Sequence, residues 1–323
     1  MITGVDRTIC RNKKKEVQSQ EFEIDQLTYV LEVYRRRDFR SKAIPVIVPT
    51  YMPNQLAVQL TSACLTSLKK YSDPPVEIWL IDNGSPATST KDFIDDDAIN
   101  VVLNKTEPIA PRFRGVTEKL KHWIKRGRRG QALQSQDISY ANAIGLELGV
   151  RIIPEDSDFV VTLHSDTLVL HPNWLSYLLS KFSEKVRISA FRQDPGRVRA
   201  AHIGGMVFDF QLYRSLGANF FHNMRQERYS DRPEYDVGDF LSIAFQAAGF
   251  EFFIARNTFN SPSLSISEPD RKILEELPCD LCINDDNRVF FAHLGRGSTK
   301  SFGIYSKGLG PKEWIAIADS LNR

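Results

Sequence analysis

The chain has 323 residues, with 42 Lys and Arg against 40 Asp and Glu and a formal net charge of +2, which argues against a surface built wholly for nucleic acid. Hydrophobic residues make up 42% and charged residues 25%, the composition of a globular protein with a core to bury, so wholesale disorder is excluded. No stretch reaches the roughly eighteen uninterrupted apolar residues of a membrane span. The opening MITGVDRTICRNKKKE lacks the apolar centre of a signal peptide. Cys10, Cys64, Cys279 and Cys282 are too few and too scattered for a disulfide framework. A soluble, cytoplasmic chain with reduced thiols is therefore expected.

In chain order, residues 1–42 read as a polar N-terminal extension carrying a helix over 24–37, from the spacing of Ile24, Leu27, Val30, Leu31 and Tyr34. From residue 43 short apolar strands alternate with helical segments: AIPVIVPT, a helix over 56–70, VEIWLIDNGS, and INVVLN over 99–104. That alternation predicts a parallel sheet. The segment 108–136 is strongly basic, with Arg112, Arg114, Lys119, Lys121, Lys125, Arg126, Arg128 and Arg129 against the lone acid Glu118. It reads either as a solvated face or loop, or as a dock for acceptor phosphates or anionic lipid headgroups that would hold the chain at a membrane surface through residues 112–129.

A helix over 139–150 then feeds the apolar run VVTLHSDTLVL. Beyond it come a helix over 173–182, strands in VRISAFR and HIGGMVFDF, a helix over 236–248, and the strand FEFFIA. A polar stretch over 257–288 with a helical piece at 271–277 follows, then the strand VFFAHLG and a last helix over 312–321. Cys279 and Cys282 have the spacing of half a zinc site, but no second half accompanies them.

Chemistry concentrates at the predicted strand ends. An apolar strand that finishes in His164-Ser165-Asp166 needs a partner for its carboxylate, because an unpaired buried charge is costly. At the carboxyl end of a parallel strand that partner is a metal or a sugar; the alternative is that Asp166 caps the helix beginning near Pro172. The first strand ends in Pro49-Thr50-Tyr51 and the second in Asp82-Asn83, and an acid there can accept hydrogen bonds from a ribose or a base edge. The turn after the first strand, PTYMPNQ, has two prolines and no glycine, so the Gly-rich phosphate cradle of dinucleotide enzymes is missing. If phosphates bind, a divalent cation at Asp166 is the economical way to neutralise them.

His293 ends a strand and is followed by a Gly-rich turn in which backbone N–H groups, Arg296 and the Ser298 hydroxyl can meet a diphosphate. His202, Gly204 and Gly205 precede another strand, and glycines admit close backbone approach. Asp236 and Asp239 stand at a helix start, either as caps or as carboxylates kept ionised by the helix dipole. Phe220, Phe221, His222 and Tyr229 form an aromatic loop that serves as lid, acceptor wall or packing.

The succession PTY, IDNGS, SYANAIG, LHSDTLVLHPNWL, HIGGMVF, YDVGDFLSIAFQAAGF and HLGRGS, from Ile44 to Ser298, resembles an inverting family 2 glycosyltransferase of the GT-A fold. The resemblance implies an α/β domain over 43–298 with a mostly parallel central sheet flanked by helices. Its nucleotide-binding half would span 43–166 and its acceptor half 167–298, with a C-terminal helix in 299–323. It implies transfer of a hexosyl or related sugar from a nucleotide-diphosphate sugar, with a UDP-sugar as first guess, to a carbohydrate, lipid-linked or protein acceptor. Thr50, Tyr51 and Asp82 would contact the base and ribose, the helix bearing Asn142 and Gly145 would pack beneath the nucleotide, and Gly204 and Gly205 would flank the donor sugar. His164-Ser165-Asp166 takes the place of the family's D-x-D motif, and Asp166 with His293 would hold Mn2+ or Mg2+. The base would be one of Asp239 and Asp236, Asp239 being preferred and Asp236 then a cap or acceptor ligand.

Two departures stand out: His164 replaces the first acid, and the two acids at 236 and 239 are spaced rather than adjacent. They leave open a non-catalytic nucleotide-sugar-binding protein of the same fold. A nucleotidyltransferase would want a Gly-rich loop with a basic residue after the first strand.

Overall fold

The computed structural model describes residues 15–36, 43–108, 132–193, 198–221, 236–261, 264–268, 270, 279–295 and 310–322, with side chains of the helix that opens at 132 described from 139 onward. The basic segment 112–129, Arg296, Ser298, His222, Tyr229 and the helical piece expected at 271–277 lie outside these residues.

The chain opens with a hairpin rather than a helix. β1 (Lys15–Ile24) and β2 (Leu27–Arg36) pair antiparallel through a turn in which Asp25 and Gln26 both have positive φ, 48° and 64°. Two positive φ values suit the right-handed twist of a two-residue hairpin. The helix expected over 24–37 is thereby corrected. Ile24, Leu27, Leu31 and Tyr34 satisfy a helical spacing, but Tyr29, Leu31 and Val33 alternate, and all three are buried. β-branched and aromatic residues favour the pleated choice. β2 pairs with β5 (Ile99–Asn104), so residues 15–36 form one edge of the central sheet instead of an appendage.

The parallel block is β5, β4 (Val76–Asp82), β3 (Ile44–Thr50) and β6 (Phe159–Leu163), in that order across the sheet. β9 (Gly205–Asp209) pairs antiparallel with β6, and β8 (Val186–Ala190) and β10 (Glu251–Ile254) complete nine strands in the order β1-β2-β5-β4-β3-β6-β9-β8-β10. Only β2 and β9 run against the rest. The inner strands are mostly apolar because both faces are covered, with a few buried polar residues such as Glu77 and Asn100 bonded to each other. In β3, Ile47 joins the core under one long helix, α3 (Ala132–Ile152), while Val46 and Val48 join the core under another, α1 (Gln55–Tyr71). α1 starts where the Asn54 side chain accepts from the Ala57 N–H at 3.0 Å, one of the donors that a helix start leaves unpaired. A short helix that the sequence pattern does not announce, α2 (Ala87–Asp95), packs Phe93 against the same core.

A second sheet of four strands runs β11 (Arg256–Asn257), β12 (Asp280–Ile283), β13 (Val289–His293) and β7 (Thr167–Val169). Leu60 and Ala63 of α1 and Trp314 and Ala318 of the last helix close its core. α1 is thus shared between the two sheets, and β7 follows β6 after three residues. Those three residues are His164, Ser165 and Asp166. The remaining described helices are α4 (Trp174–Leu179), α5 (Phe210–Ser215), α6 (Asp239–Ala247) and α7 (Pro311–Asn322). Among the described residues, no helix is long and apolar enough to cross a membrane.

Candidate active site at the strand ends

Parallel pairing of β3, β4 and β6 brings Thr50-Tyr51, Asp82-Asn83 and His164-Ser165-Asp166 to one edge of the sheet. Much of the first two segments is already engaged. The Thr50 hydroxyl lies 3.2 Å from that of Thr61, and the Asp82 carboxylate accepts from the Ser85 N–H at 2.9 Å and from the Ser85 hydroxyl. Burial pushes the Asp82 carboxyl up, against the pull of these hydrogen bonds. The Asn83 amide donates to Ala141 O at 2.7 Å and accepts from the Asn104 amide at 3.1 Å. α3 therefore lies tight on this seam, and a Cβ on Gly145 would come within 2.9 Å of both Pro49 Cβ and Asn83 Nδ2. Tyr51, by contrast, is 58% exposed and offers an uncovered ring.

The third segment is different in kind. Asp166 and His293 are buried and His164 is half-buried at the turn between the two sheets, with Ser165 half-buried beside it. One ligand atom of each of His164, Asp166 and His293 lies within 4.8 Å of the others; this is the group capable of holding a metal ion among the described residues. The register of the small sheet builds it. His293 stands opposite Thr167 on one side and Asp280 on the other, and the Leu294 N–H donates to Asp166 O at 3.0 Å. Residues directly opposite on antiparallel strands present their side chains to the same face. The His293 Nδ1–H accordingly donates to Asp280 Oδ2 at 3.4 Å, and its Nε2 faces Asp166 Oδ1 at 3.5 Å.

His164 is held from the large sheet. Its N–H donates to Gly204 O at 3.2 Å, and its Nε2 lies 3.3 Å from the Asn142 amide of α3. Gly204 leaves room for two imidazoles: a Cβ there would sit 2.8 Å from His202 Nδ1 and 2.9 Å from His164 Nδ1. The rings of His164, His202 and His293 stand 5.3–5.7 Å apart. Burial drives His164 down to about 4, with Asp166 opposing. Burial also lowers His293, but the Asp166 and Asp280 carboxylates outweigh it and leave this imidazole above its ordinary value. The site thus contains one neutral and one more basic imidazole around a carboxylate.

The fit to a divalent cation can be judged from these atoms. A buried imidazole nitrogen aimed at a buried carboxylate 3.5 Å away makes an ion pair when the ring is protonated and offers a pair of ligand atoms to a cation when it is neutral. A histidine whose other nitrogen is fixed by a carboxylate is the usual posture of a metal ligand. The residues therefore suit the group.

Two participants escape the sequence pattern. Asp280 lies between Cys279 and Cys282, whose spacing draws attention to sulfur instead, and Arg192 lies 88 positions earlier. Arg192 bonds Asp280 at 2.5 Å and places Nη2 3.1 Å from His202 Nε2. The signal that could reveal Asp280 is an acid heading an apolar strand, DLCI, in front of a strand that ends in histidine. Cys282 is buried, and neither it nor Cys279 belongs to the metal-capable group.

Both acids accept hydrogen bonds from the backbone at the start of α6, Asp236 from the Val237 N–H at 2.8 Å. The Asp239 carboxylate turns back to accept from the Asp236 N–H at 2.7 Å, so Asp239 is the residue that ties the loop to α6. Asp236 is half-buried and close enough for its charge to act on His164. Gly238 between them has φ +82°, a conformation that favours glycine. Phe220 is fully buried core, and Phe221 stacks on Tyr140 at 6.1 Å.

No protein-family model and no curated protein matches the chain. Among solved structures it is similar to a mannosyltransferase from Pyrobaculum calidifontis in complex with GDP-Man and Mn2+, at 18% identity and a TM-score of 0.42 over 67% of this chain and 55% of that one. The chain thus spans about half the length of that protein. It is also similar to the galactosyltransferase LgtC in complex with donor and acceptor sugar analogues, at 14% identity and a TM-score of 0.48 over 86% of this chain and 96% of that one. A third likeness is to the apo bifunctional glycosyltransferase WbbM, at 12% identity and 0.39 over 67% of this chain and 40% of that one. With all three scores below 0.5, function must be read from the site's own residues.

Proposed function

We propose that the chain is a nucleotide-sugar-dependent glycosyltransferase of GT-A type that transfers its sugar with inversion. The observation that carries this reading is the group of His164, Asp166 and His293 gathered within 4.8 Å at the carboxyl ends of the parallel strands, with His293 Nε2 directed at the Asp166 carboxylate. His164, Asp166 and His293 would hold a divalent cation, which when bound supplies positive charge to the departing diphosphate oxygens. The same edge carries Tyr51, whose exposed ring suits stacking on a base, and the rigid Asp82 turn beside it.

Inversion requires a carboxylate to take the proton of the acceptor hydroxyl as its oxygen attacks. We assign that role to Asp236, half-buried at the start of α6, and to Asp239 the task of fixing the Asp236 backbone. His202, held by the Gly204 N–H at 3.0 Å, and Gly204 itself would line the donor-sugar side. A UDP-sugar is the first donor to try, and the basic segment 112–129 and the stretch after Asn257 are where acceptor recognition would lie.

The test is donor turnover followed by NMR of the product anomer. Asp236→Asn should lower turnover by about 10²- to 10⁴-fold while nucleoside diphosphate affinity holds. Full activity of the Asp236→Asn variant, or a product with retained configuration, would overturn the assignment.

A further inference from the structure

The chemistry of a ligand set decides which ion fits it best. Mg2+ takes hard oxygen ligands in near-octahedral geometry and gives up water reluctantly. Imidazole nitrogen favours first-row transition ions, with affinity rising from Mn2+ towards Co2+ and beyond. The group at the strand ends offers two imidazoles and one carboxylate, His164, His293 and Asp166, within 4.8 Å.

Both imidazoles are held in place by groups that are not ligands themselves. His293 Nδ1 is occupied by Asp280 at 3.4 Å, leaving Nε2 directed at Asp166. Asp280 is neutralised in turn by Arg192 at 2.5 Å, so its charge is spent on orientation. His164 is set by Asn142 at 3.3 Å and by the gap that Gly204 leaves.

We propose that His164 makes this site select imidazole-preferring transition ions over magnesium, with Asp280 as the positioning residue for the His293 ligand. The proposal rests on the reading of His164, Asp166 and His293 as a cation site. It adds which ions the site accepts and which residue outside the ligand set governs them.

The experiment is calorimetric titration of the chelator-treated full chain with Co2+, Mn2+ and Mg2+ in turn, with visible spectroscopy of the Co2+ complex. Wild type should bind Co2+ at least about 100-fold more tightly than Mg2+, with Mn2+ between them. His164→Asp should narrow that ratio by about tenfold or more, strengthening Mg2+ and weakening Co2+, and should shift the visible bands. His164→Gln, which keeps a neutral polar side chain, should lose Co2+ affinity without gaining Mg2+. Asp280→Asn should weaken Co2+ by about 10- to 100-fold, as loss of an orienting carboxylate does.

Equal affinity of wild type for Co2+ and Mg2+, or a ratio unmoved by His164→Asp and His164→Gln, would overturn the selectivity. The underlying reading has its own control. If Asp166→Ala binds Co2+ as wild type does, the cation site itself is wrong. If Asp166→Ala abolishes binding while the wild-type ratio is flat, the site stands and only the selectivity fails.

Discussion

Asp82 ends one buried parallel strand and Asp166 follows another at the same edge of the sheet, yet their surroundings differ. Asp82 closes its own turn onto Ser85, whose hydroxyl also accepts from the Met52 N–H at 2.7 Å, so the turns after β3 and β4 are locked together. Asn83 continues the lock to α3 and β5. Asp166 faces His293 Nε2 at 3.5 Å and shares its neighbourhood with His164. One region is a finished hydrogen-bonded seam and the other a set of ligand atoms gathered around one point. Strand-end position marks both acids as candidates; what each carboxylate faces differs, a serine turn for Asp82 and two histidines for Asp166.

The largest effect that separates the regions concerns cation binding. At an ion concentration of about 100 times Kd, a specific site stabilises the chain by about 2.7 kcal/mol. Thermal unfolding with and without Mn2+ should show this gain in wild type and none in Asp166→Ala. Ser85→Ala should do the reverse, costing about 1–3 kcal/mol in urea unfolding by depriving a buried carboxylate of a donor, while the Mn2+ gain persists. A lost Mn2+ response in Ser85→Ala would mean that the two regions are not separable.

Gly145→Ala sharpens the comparison from the helix side. Its new Cβ meets Pro49 and Asn83 at 2.9 Å, and overpacking of this kind costs about 1–3 kcal/mol. Equilibrium unfolding should register that loss, with cation affinity retained because the His164 contact comes from Asn142.

A further effect lies in the acid limb of the cation-free chain. Folded His164 is held near 4, whereas an unfolded imidazole takes its proton at about 6.5. The unfolded state therefore binds more protons as pH falls through that window, and stability is lost from about 6.5 down to about 4. His293 acts with the opposite sign: its folded value is raised, so its contribution is present below about 6.5 and fades as pH rises through the raised value. His164→Gln should flatten the acid limb in urea midpoints measured in chelator; an unchanged slope would remove His164 as its cause.

The parallel block was legible because strands covered on both faces must be apolar almost throughout, as in β3, β4 and β5. The hairpin was not, since LTYVLEVYRR satisfies a helical spacing and an alternating one together, and its turn uses Asp25 and Gln26 in place of glycine. Within the candidate site, Asp166 and His293 could be picked out from their strand-end positions, and Asn142 only through the family resemblance. Asp280 and Arg192 could not. Their partnership with His293 arises from the register of β12 on β13 and from a crossing between the two sheets, neither of which leaves a local pattern in the chain.

The most direct test of the central claim is whether nucleoside diphosphate binding depends on the cation site. Thermal unfolding of wild type with UDP or GDP should shift upward only when Mn2+ is also present, and Asp166→Ala should remove the shift. An equal shift in chelator, or none with any nucleoside diphosphate in the presence of Mn2+, would contradict the account.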